Sequence, residues 1–286
     1  MANLLKGKDV AASIIKRSQD DVALLKEKGI SPKLAVFRIG NKEDDIAYER
    51  NIEKKALEVG VEIKKYLLND DASEEELLSL LDEANKDTNI HGILIFRPLP
   101  KNIDDQKIRN FISPNKDIDG CGDLSLAGVF TNTKLGFAPC TAKAAIEILD
   151  YYRIDITGKN VVVLGRSLVI GKPVSMLLLN RNATVTICHT KTKDIQEIAK
   201  TADILICATG KMESINKDYV SSKQTIIDVG ISWNPNKNKL CGDVLFEDVE
   251  GIVENITPVP GGVGSVTTAV LISNVVEAAK RQNHIQ

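Results

Sequence analysis

The residues best placed to do chemistry lie in the run Gly158-Lys-Asn-Val-Val-Val-Leu-Gly165-Arg-Ser-Leu-Val-Ile-Gly171-Lys-Pro173. An apolar stretch passes into a loop opened by Gly165 and closed by Gly171. Pro173 then falls in the first turn of a helix, where its missing N–H costs nothing. A turn this tight asks for glycine wherever the backbone takes a positive φ or approaches a phosphate closely. The helix behind it turns free N–H groups and the positive end of its dipole toward an anion. The loop departs from G-x-G-x-x-G, and a glycine loop by itself is also what an ordinary strand-to-helix turn looks like. Its place at the head of a strand–helix–strand series argues for a dinucleotide.

The end of the following strand, Thr184–Cys188, bears on which dinucleotide. NAD-binding folds usually carry Asp or Glu there, to accept hydrogen bonds from the ribose 2′-hydroxyl. Cys188-His189-Thr190-Lys191 has no acid. Lys191, together with Arg166 of the first loop, suits a 2′-phosphate, although each could equally be a solvated surface cation. The reading favours NADP and leaves NAD open.

Other reactive residues read more plainly. Cys121 and Cys207 look like small core or loop residues, since no histidine stands near in sequence to activate them. His189 is read as a neighbour of the cofactor ribose or a surface residue, and Trp233 is isolated. The five cysteines and three histidines are scattered, without C-x-x-C. That spacing argues against a disulfide frame and a metal centre, and for a reducing, cytoplasmic compartment. A net charge of −2 supplies no basic face for nucleic acid or a membrane surface. The apolar runs are strand-length, far short of the roughly 20 residues that span a bilayer. The N-terminal segment lacks the apolar core of a secretory signal.

Elements that would position these residues alternate along the chain. Residues 7–28 and 45–59 carry apolar positions at helical spacing, the second closed by Gly60. Strands are expected at Leu34–Ile39, Val61–Leu67 and Gly92–Phe96, with Ser73 capping a helix between the last two. A second series is expected at 141–152 (helix), Asn160–Leu164 (strand), Lys172–Asn180 (helix), Thr184–Cys188 (strand), 193–200 (helix), Ile204–Cys207 and Thr225–Val229 (strands), and a closing helix at Thr267–Arg281. Alternation of this kind implies an α/β fold with parallel sheets covered on both faces. The expected division is residues 1–140 plus a C-terminal helix, 265–286, as one domain and 141–264 as the other, with a cleft between them.

Several motifs, in order along nearly the whole chain, resemble the methylenetetrahydrofolate dehydrogenase/cyclohydrolase family. They are Tyr48 twelve residues before Gly60, Gly92-Ile-Leu-Ile with Pro98-Leu-Pro100, Lys116-Asp-Ile-Asp119-Gly120, Pro139-Cys140-Thr141, Gly165-Arg-Ser167, Thr201–Gly210, Ile226-Ile-Asp228-Val-Gly230-Ile231, Gly242-Asp243-Val, and above all Pro258-Val-Pro260-Gly261-Gly262-Val-Gly264. The resemblance implies an α/β substrate domain, a Rossmann-type cofactor domain and a homodimer. It also implies oxidation of 5,10-methylenetetrahydrofolate with NADP as hydride acceptor, usually followed by hydrolysis of the methenyl product. On this basis Gly165, Arg166, Ser167, Gly171, His189, Lys191, Thr209, Gly210 and Ile231 would contact the cofactor. Tyr48, Asp119, Pro260, Gly261 and Gly262 would contact a small folate substrate, with Tyr48 and Asp119 at the reacting centre.

The chain departs from the family pattern where that pattern is most chemical. Ile52 stands where a lysine is expected one helical turn after Tyr48, and Phe96, followed by Arg97, stands where a glutamine is expected. Asp45 replaces a serine, and Ser125 and Ala127 replace Asn and Gly. Hydrolysis of the methenyl cation needs proton transfers near the reacting carbon, which an isoleucine cannot provide; such catalysis contributes about 10²–10⁴-fold. Hydride transfer depends mainly on holding two carbons in line and could survive the change. Three readings stay open: a dehydrogenase with its cyclohydrolase weak or lost, a fully bifunctional enzyme using Lys55 or Arg97 instead, and a silent folate- or nucleotide-binding protein.

Overall fold

A computed structural model describes residues 1–285. In chain order its first half holds β1 (Asn3–Leu4), α1 (Gly7–Glu27), β2 (Lys33–Ile39), α2 (Glu43–Val59), β3 (Glu62–Leu68), α3 (Glu74–Lys86), β4 (Gly92–Ile95), α4 (Asp105–Phe111) and α5 (Asp123–Thr131). The second half holds α6 (Cys140–Tyr151), β5 (Asn160–Leu164), α7 (Gly171–Leu179), β6 (Thr184–Cys188), α8 (Ile195–Lys200), β7 (Ile204–Cys207), β8 (Thr225–Asp228), β9 (Ser232–Asn234), β10 (Lys239–Cys241), α9 (Phe246–Val249), β11 (Asn255–Ile256) and α10 (Val263–Gln282). The chain divides into two compact units, Met1–Ala11 with Thr141–Thr267, and Ala12–Cys140 with Thr268–Gln286.

The unit that contains Thr141–Thr267 is built on a six-stranded sheet in the order β1-β11-β8-β7-β5-β6, every pair parallel. β5, β7 and β8 are buried almost end to end, as the apolar stretches Val161–Leu164, Ile204–Cys207 and Ile226–Ile227 require of strands covered on both faces. From β5 the chain first builds outward to β6, then returns to lay β7 and β8 on the other side. The strand order therefore reverses between β5 and β7. In open α/β sheets the crevice outside the strand ends at such a point is where ligands bind.

In the other unit, three parallel strands run in the order β3-β2-β4. The core on one face joins Phe37, stacked on Tyr66 with ring centroids 4.4 Å apart, to Leu77, Leu81, Ile93 and Ile108. Ser73 caps α3 as expected, accepting from the Glu76 N–H at 3.1 Å. On α10, Asn274 donates to the Ile118 carbonyl at 2.8 Å and Gln282 to the His91 carbonyl at 2.9 Å. These bonds account for the C-terminal helix counting with the N-terminal residues.

Two boundaries differ from those expected. Met1–Ala11 counts with the six-stranded sheet and not with residues 12–140, because β1 pairs with β11 (Asn3 opposite Asn255). The closing helix starts at Val263 rather than Thr267, so part of the glycine-rich segment is its first turn.

Candidate active site

In the first unit a cavity of about 470 Å³ opens at the carboxyl ends of β5, β6 and β7, where the strand order reverses. Gly165, at the end of β5, has φ +131°, and a Cβ there would lie 2.1 Å from the Ala208 carbonyl oxygen. A Cβ on Gly171 would lie 2.3 Å from the Gly165 oxygen, so both glycines are needed to close the loop this tightly. Ser167 holds the turn: its hydroxyl accepts from the Ile170 N–H at 3.2 Å and its carbonyl from the Lys172 N–H at 3.0 Å.

The wall includes Gly165, Arg166, Ser167, His189, Thr190 and Thr209, and among the described residues no carboxylate lines it. His189 Nδ1 accepts from the Lys191 N–H at 3.2 Å, which puts the proton of the neutral ring on Nε2. Of the residues expected at the cofactor, Gly165, Arg166, Ser167, His189 and Thr209 thus share one cavity. Gly171 sits behind the loop as the first residue of α7, Lys191 is exposed one position past Thr190, Gly210 is exposed, and Ile231 is 60 % exposed beyond β8. None of these four is part of the wall. Lys211 and Ser214 do line it and were not anticipated. The signal was available, since Thr209-Gly210-Lys211 is the loop leaving the carboxyl end of the third strand of the series. A phosphate-bearing dinucleotide fits this chemistry: a glycine turn at a helix start, hydroxyl donors and two cations, with no competing acid.

Among the residues of the other unit, Tyr48 on α2 and Phe96 at the end of β4 face each other, ring centroids 5.6 Å apart. Tyr48 is 40 % exposed, but its hydroxyl lies beside Asp119 and is hydrogen-bonded to Thr268. Burial and the neighbouring Asp119 charge push that phenol well above its ordinary range, so it stays protonated at neutral pH. Asp119 is half-buried, and its carboxyl is pushed up to about 6, first by burial and then by the charge of Asp117. A hydrogen bond from Cys140 and the positive charge of Arg97 work the other way.

One turn beyond Tyr48, Ile52 is fully buried at 0 % exposure, and Phe96 is 8 % exposed. The two cations considered as stand-ins each carry an ion pair, and the Arg97 charge also acts on Asp119. Lys55 pairs with Glu58 at 2.8 Å, and Arg97 with Asp105 at 2.6 Å through Nε. The other departures separate. Ser125 is buried and donates to Asp117 at 2.6 Å, as part of a cage that also includes the Gly122 N–H at 2.8 Å. Ala127 is exposed and Asp45 is half-buried in the first turn of α2. The Cys121 thiol is raised by burial, as is that of Cys207, and neither is set up as a nucleophile.

The helix that carries Tyr48 is locked to the sheet by an ion cluster that sequence reading did not find. Glu49 accepts from Arg38 at 2.8 Å and from Lys65 at 2.8 Å, with the Arg38 and Glu49 side chains only 7 % and 6 % exposed. Burial pushes the Glu49 carboxyl up, but the bonds from Lys65 and Arg38 outweigh it and hold it below the usual carboxylate range. Arg38→Met should cost about 3 kcal/mol in urea unfolding, because it strands a buried charge. The double replacement Arg38→Met, Glu49→Leu should cost clearly less; equal losses would mean that the pair does not act as a unit.

Pro260, Gly261 and Gly262, expected at the substrate, belong to the first unit, where the Gly261 carbonyl accepts from the Gly7 N–H at 2.7 Å. Among the described residues no cluster of three or more His, Cys, Asp or Glu could hold a metal ion, and no helix is long and apolar enough to cross a membrane.

Residues 5–119 match the catalytic domain of tetrahydrofolate dehydrogenase/cyclohydrolase, and residues 139–283 match its NAD(P)-binding domain. The chain belongs to this family. Bifunctional protein FolD of Clostridium botulinum (strain Okra) is 49 % identical over 283 residues, covering 99 % of this chain and 100 % of the relative. The crystal structure of the bifunctional enzyme FolD from Campylobacter jejuni superposes with a TM-score of 0.95 at 37 % identity, covering 98 % of this chain and 99 % of that one. The Trypanosoma brucei dehydrogenase-cyclohydrolase, complexed with NADP cofactor and inhibitor, gives a TM-score of 0.90 at 33 % identity, with 98 % of each chain covered. Membership makes this a protein of one-carbon folate metabolism and an oxidoreductase by family. Its parallel six-stranded sheet corresponds to the Rossmann-type fold expected for the cofactor.

Proposed function

We propose that this tetrahydrofolate dehydrogenase/cyclohydrolase oxidises 5,10-methylenetetrahydrofolate to the methenyl compound with NADP as hydride acceptor, and hydrolyses that product only slowly. The observation that carries the second half is Ile52, aliphatic and fully buried one helical turn from Tyr48, where the family pattern places a lysine. In this reading the unit containing Thr141–Thr267 binds the cofactor and the unit containing Tyr48 and Asp119 binds the folate. NADP supplies the hydride acceptor. The Gly165 turn and the start of α7 bind its phosphates, and Arg166 with Lys191 meets the 2′-phosphate. Asp119 holds the pterin as an ionised acceptor above about pH 6, and the protonated Tyr48 packs beside the reacting carbon. Neither residue needs to move a proton for the hydride to leave, so the first step is independent of position 52.

A second reading, full dehydrogenase and cyclohydrolase activity on one chain, is favoured by a different observation. The relatives at 48 % and 49 % identity are each named as bifunctional. Those names back the two-activity reading better than they back a slow hydrolysis; the side chains at 52 and 96 point the other way. The two readings share the dehydrogenase, which is tested by supplying methylenetetrahydrofolate with each nicotinamide cofactor. Reduction of NADP is the expected result, and no reduction of either cofactor would leave a silent folate- or nucleotide-binding protein.

Cofactor choice has its own test. Arg166→Ala with Lys191→Ala should raise the KM for NADP by about tenfold or more while moving that for NAD by less than about threefold. Equal weakening would remove the 2′-phosphate role. The five free cysteines fit a reducing cytoplasm, and a homodimer is the proposed assembly, to be checked by light scattering on the purified protein.

A further inference from the structure

The cavity wall after β7 is held both by its own bonds, such as the Lys211 N–H to Thr209 Oγ1 at 3.1 Å and the Ser214 hydroxyl to the Lys211 carbonyl at 2.8 Å, and by a second segment of the chain. Residues 209–215 leave the sheet as a loop, and four of them, Thr209, Lys211, Ser214 and Ile215, line the cavity. The loop is stitched along its length to the segment following β10. The Glu213 N–H donates to the Gly242 carbonyl at 3.0 Å, the Ile215 N–H to the Asp243 carbonyl at 3.0 Å, and the Leu245 N–H to the Ile215 carbonyl at 2.8 Å. At the cavity end the tie is a side chain: Asp243 Oδ2 accepts from the Thr209 N–H at 2.5 Å and from the Gly210 N–H at 3.0 Å.

Asp243 is itself held from behind. Asp228, at the end of β8, accepts from the Asp243 N–H at 3.1 Å, the Val244 N–H at 3.0 Å and the Gly230 N–H at 2.9 Å. Both carboxylates are buried, at 3 % exposure for Asp228 and 1 % for Asp243. A carboxylate that accepts several backbone N–H bonds in a dry site fixes those amides far more firmly than water would.

We propose that Asp243, seated by Asp228, is a positioning residue for the nicotinamide cofactor, fixing the Thr209–Lys211 wall of its cavity before the cofactor arrives. This rests on the reading of the cavity as the cofactor site. The requirement is for an oxygen acceptor at Oδ2, so an amide can serve and a methyl group cannot. Burial pushes the Asp228 carboxyl up to about 7, and the nearby Asp243 charge adds to this against the pull of the N–H donors.

The experiment is calorimetric titration of NADP into the wild-type protein and into the Asp243→Ala and Asp243→Asn variants, with steady-state kinetics on the same samples. Asp243→Ala should raise the Kd and KM for NADP by about tenfold or more, with kcat at saturating cofactor within about threefold of wild type. Asp243→Asn should bind within about threefold of wild type. An alanine variant that binds normally, an asparagine variant as weak as alanine, or a loss confined to kcat would each overturn the proposal. If the alanine variant does not fold, hydrogen exchange on the wild type decides. Slow exchange of the Thr209 and Gly210 amides without NADP supports a preformed wall, and open-loop rates refute it. Failure of the wild type itself to bind NADP would refute the cofactor reading, and this inference with it.

Discussion

Ile52→Lys combined with Phe96→Gln should raise methenyltetrahydrofolate hydrolysis by about 10²-fold, the scale of a restored acid–base group. Position 52 is one helical turn from Tyr48, and Phe96 packs against that ring, so the pair would place an amine and an amide partner on the same side of the tyrosine. Neither replacement alone should suffice. A lysine at a site with 0 % exposure and Phe96 still in place has no acceptor, and desolvation would drive it toward its neutral form. The glutamine supplies that acceptor and opens space beside the tyrosine. The double variant should lose roughly 2 kcal/mol of stability from the polar burial while NADP reduction changes little. Unchanged hydrolysis in a folded double variant would mean that these positions do not face the reacting carbon.

Asp119→Asn should give opposite results for activity and stability. Losing a charged acceptor at the pterin should lower kcat/KM for the dehydrogenase by about 10²-fold, equivalent to roughly 3 kcal/mol. The same change should stabilise the protein without substrate. The folded-state carboxyl sits at about 6 against an ordinary 3.8, so the folded protein holds its proton more tightly than the unfolded chain. The cost is absent below about pH 4, where both states are protonated. It grows as pH rises from about 4 to 6 and is full above that. The variant should therefore match wild type in unfolding at pH 4 and exceed it by about 1–3 kcal/mol at pH 8. Wild-type dehydrogenase activity should fall below about pH 6, as Asp119 takes up its proton. An unfolding difference that does not change with pH would mean that Asp119 is not the strained group.

What could be read from the sequence is what depends on local physics. β5, β7 and β8 announced themselves as apolar runs, Ser73 as a cap, and Gly165 and Gly171 as a turn, because each signal lies within a few neighbouring residues. β1 and β11 gave no such signal: two-residue strands have no period, and their pairing joins residues 252 positions apart. The short helix α4 was invisible for a similar reason, with only Asp104 and its bonds to the Gln106 and Lys107 N–H groups to mark it. The β9–β10 hairpin was also unanticipated.

The site divides in the same way. Arg166, Ser167 and His189 were expected near one another, and line one cavity, because loops at strand ends are predictable in kind. Arg38–Glu49–Lys65, Ser125 on Asp117 and Asp243 on Thr209 were not, since each pairs residues brought together only by the fold. Ser125, noted in the sequence only as a departure from the family pattern, has a definite structural partner in Asp117. Ile52 was noted the same way, and its burial in the core leaves it without any polar role.

The most direct measurement follows both products of one reaction. Purified protein is given methylenetetrahydrofolate and NADP, and NADPH and methenyltetrahydrofolate are recorded together. The proposal predicts that the methenyl compound accumulates nearly in step with NADPH and decays little faster than it does without the protein. NADPH formed while the methenyl compound stays low and 10-formyltetrahydrofolate rises in its place would contradict it, and would show that hydrolysis proceeds without an amine at position 52.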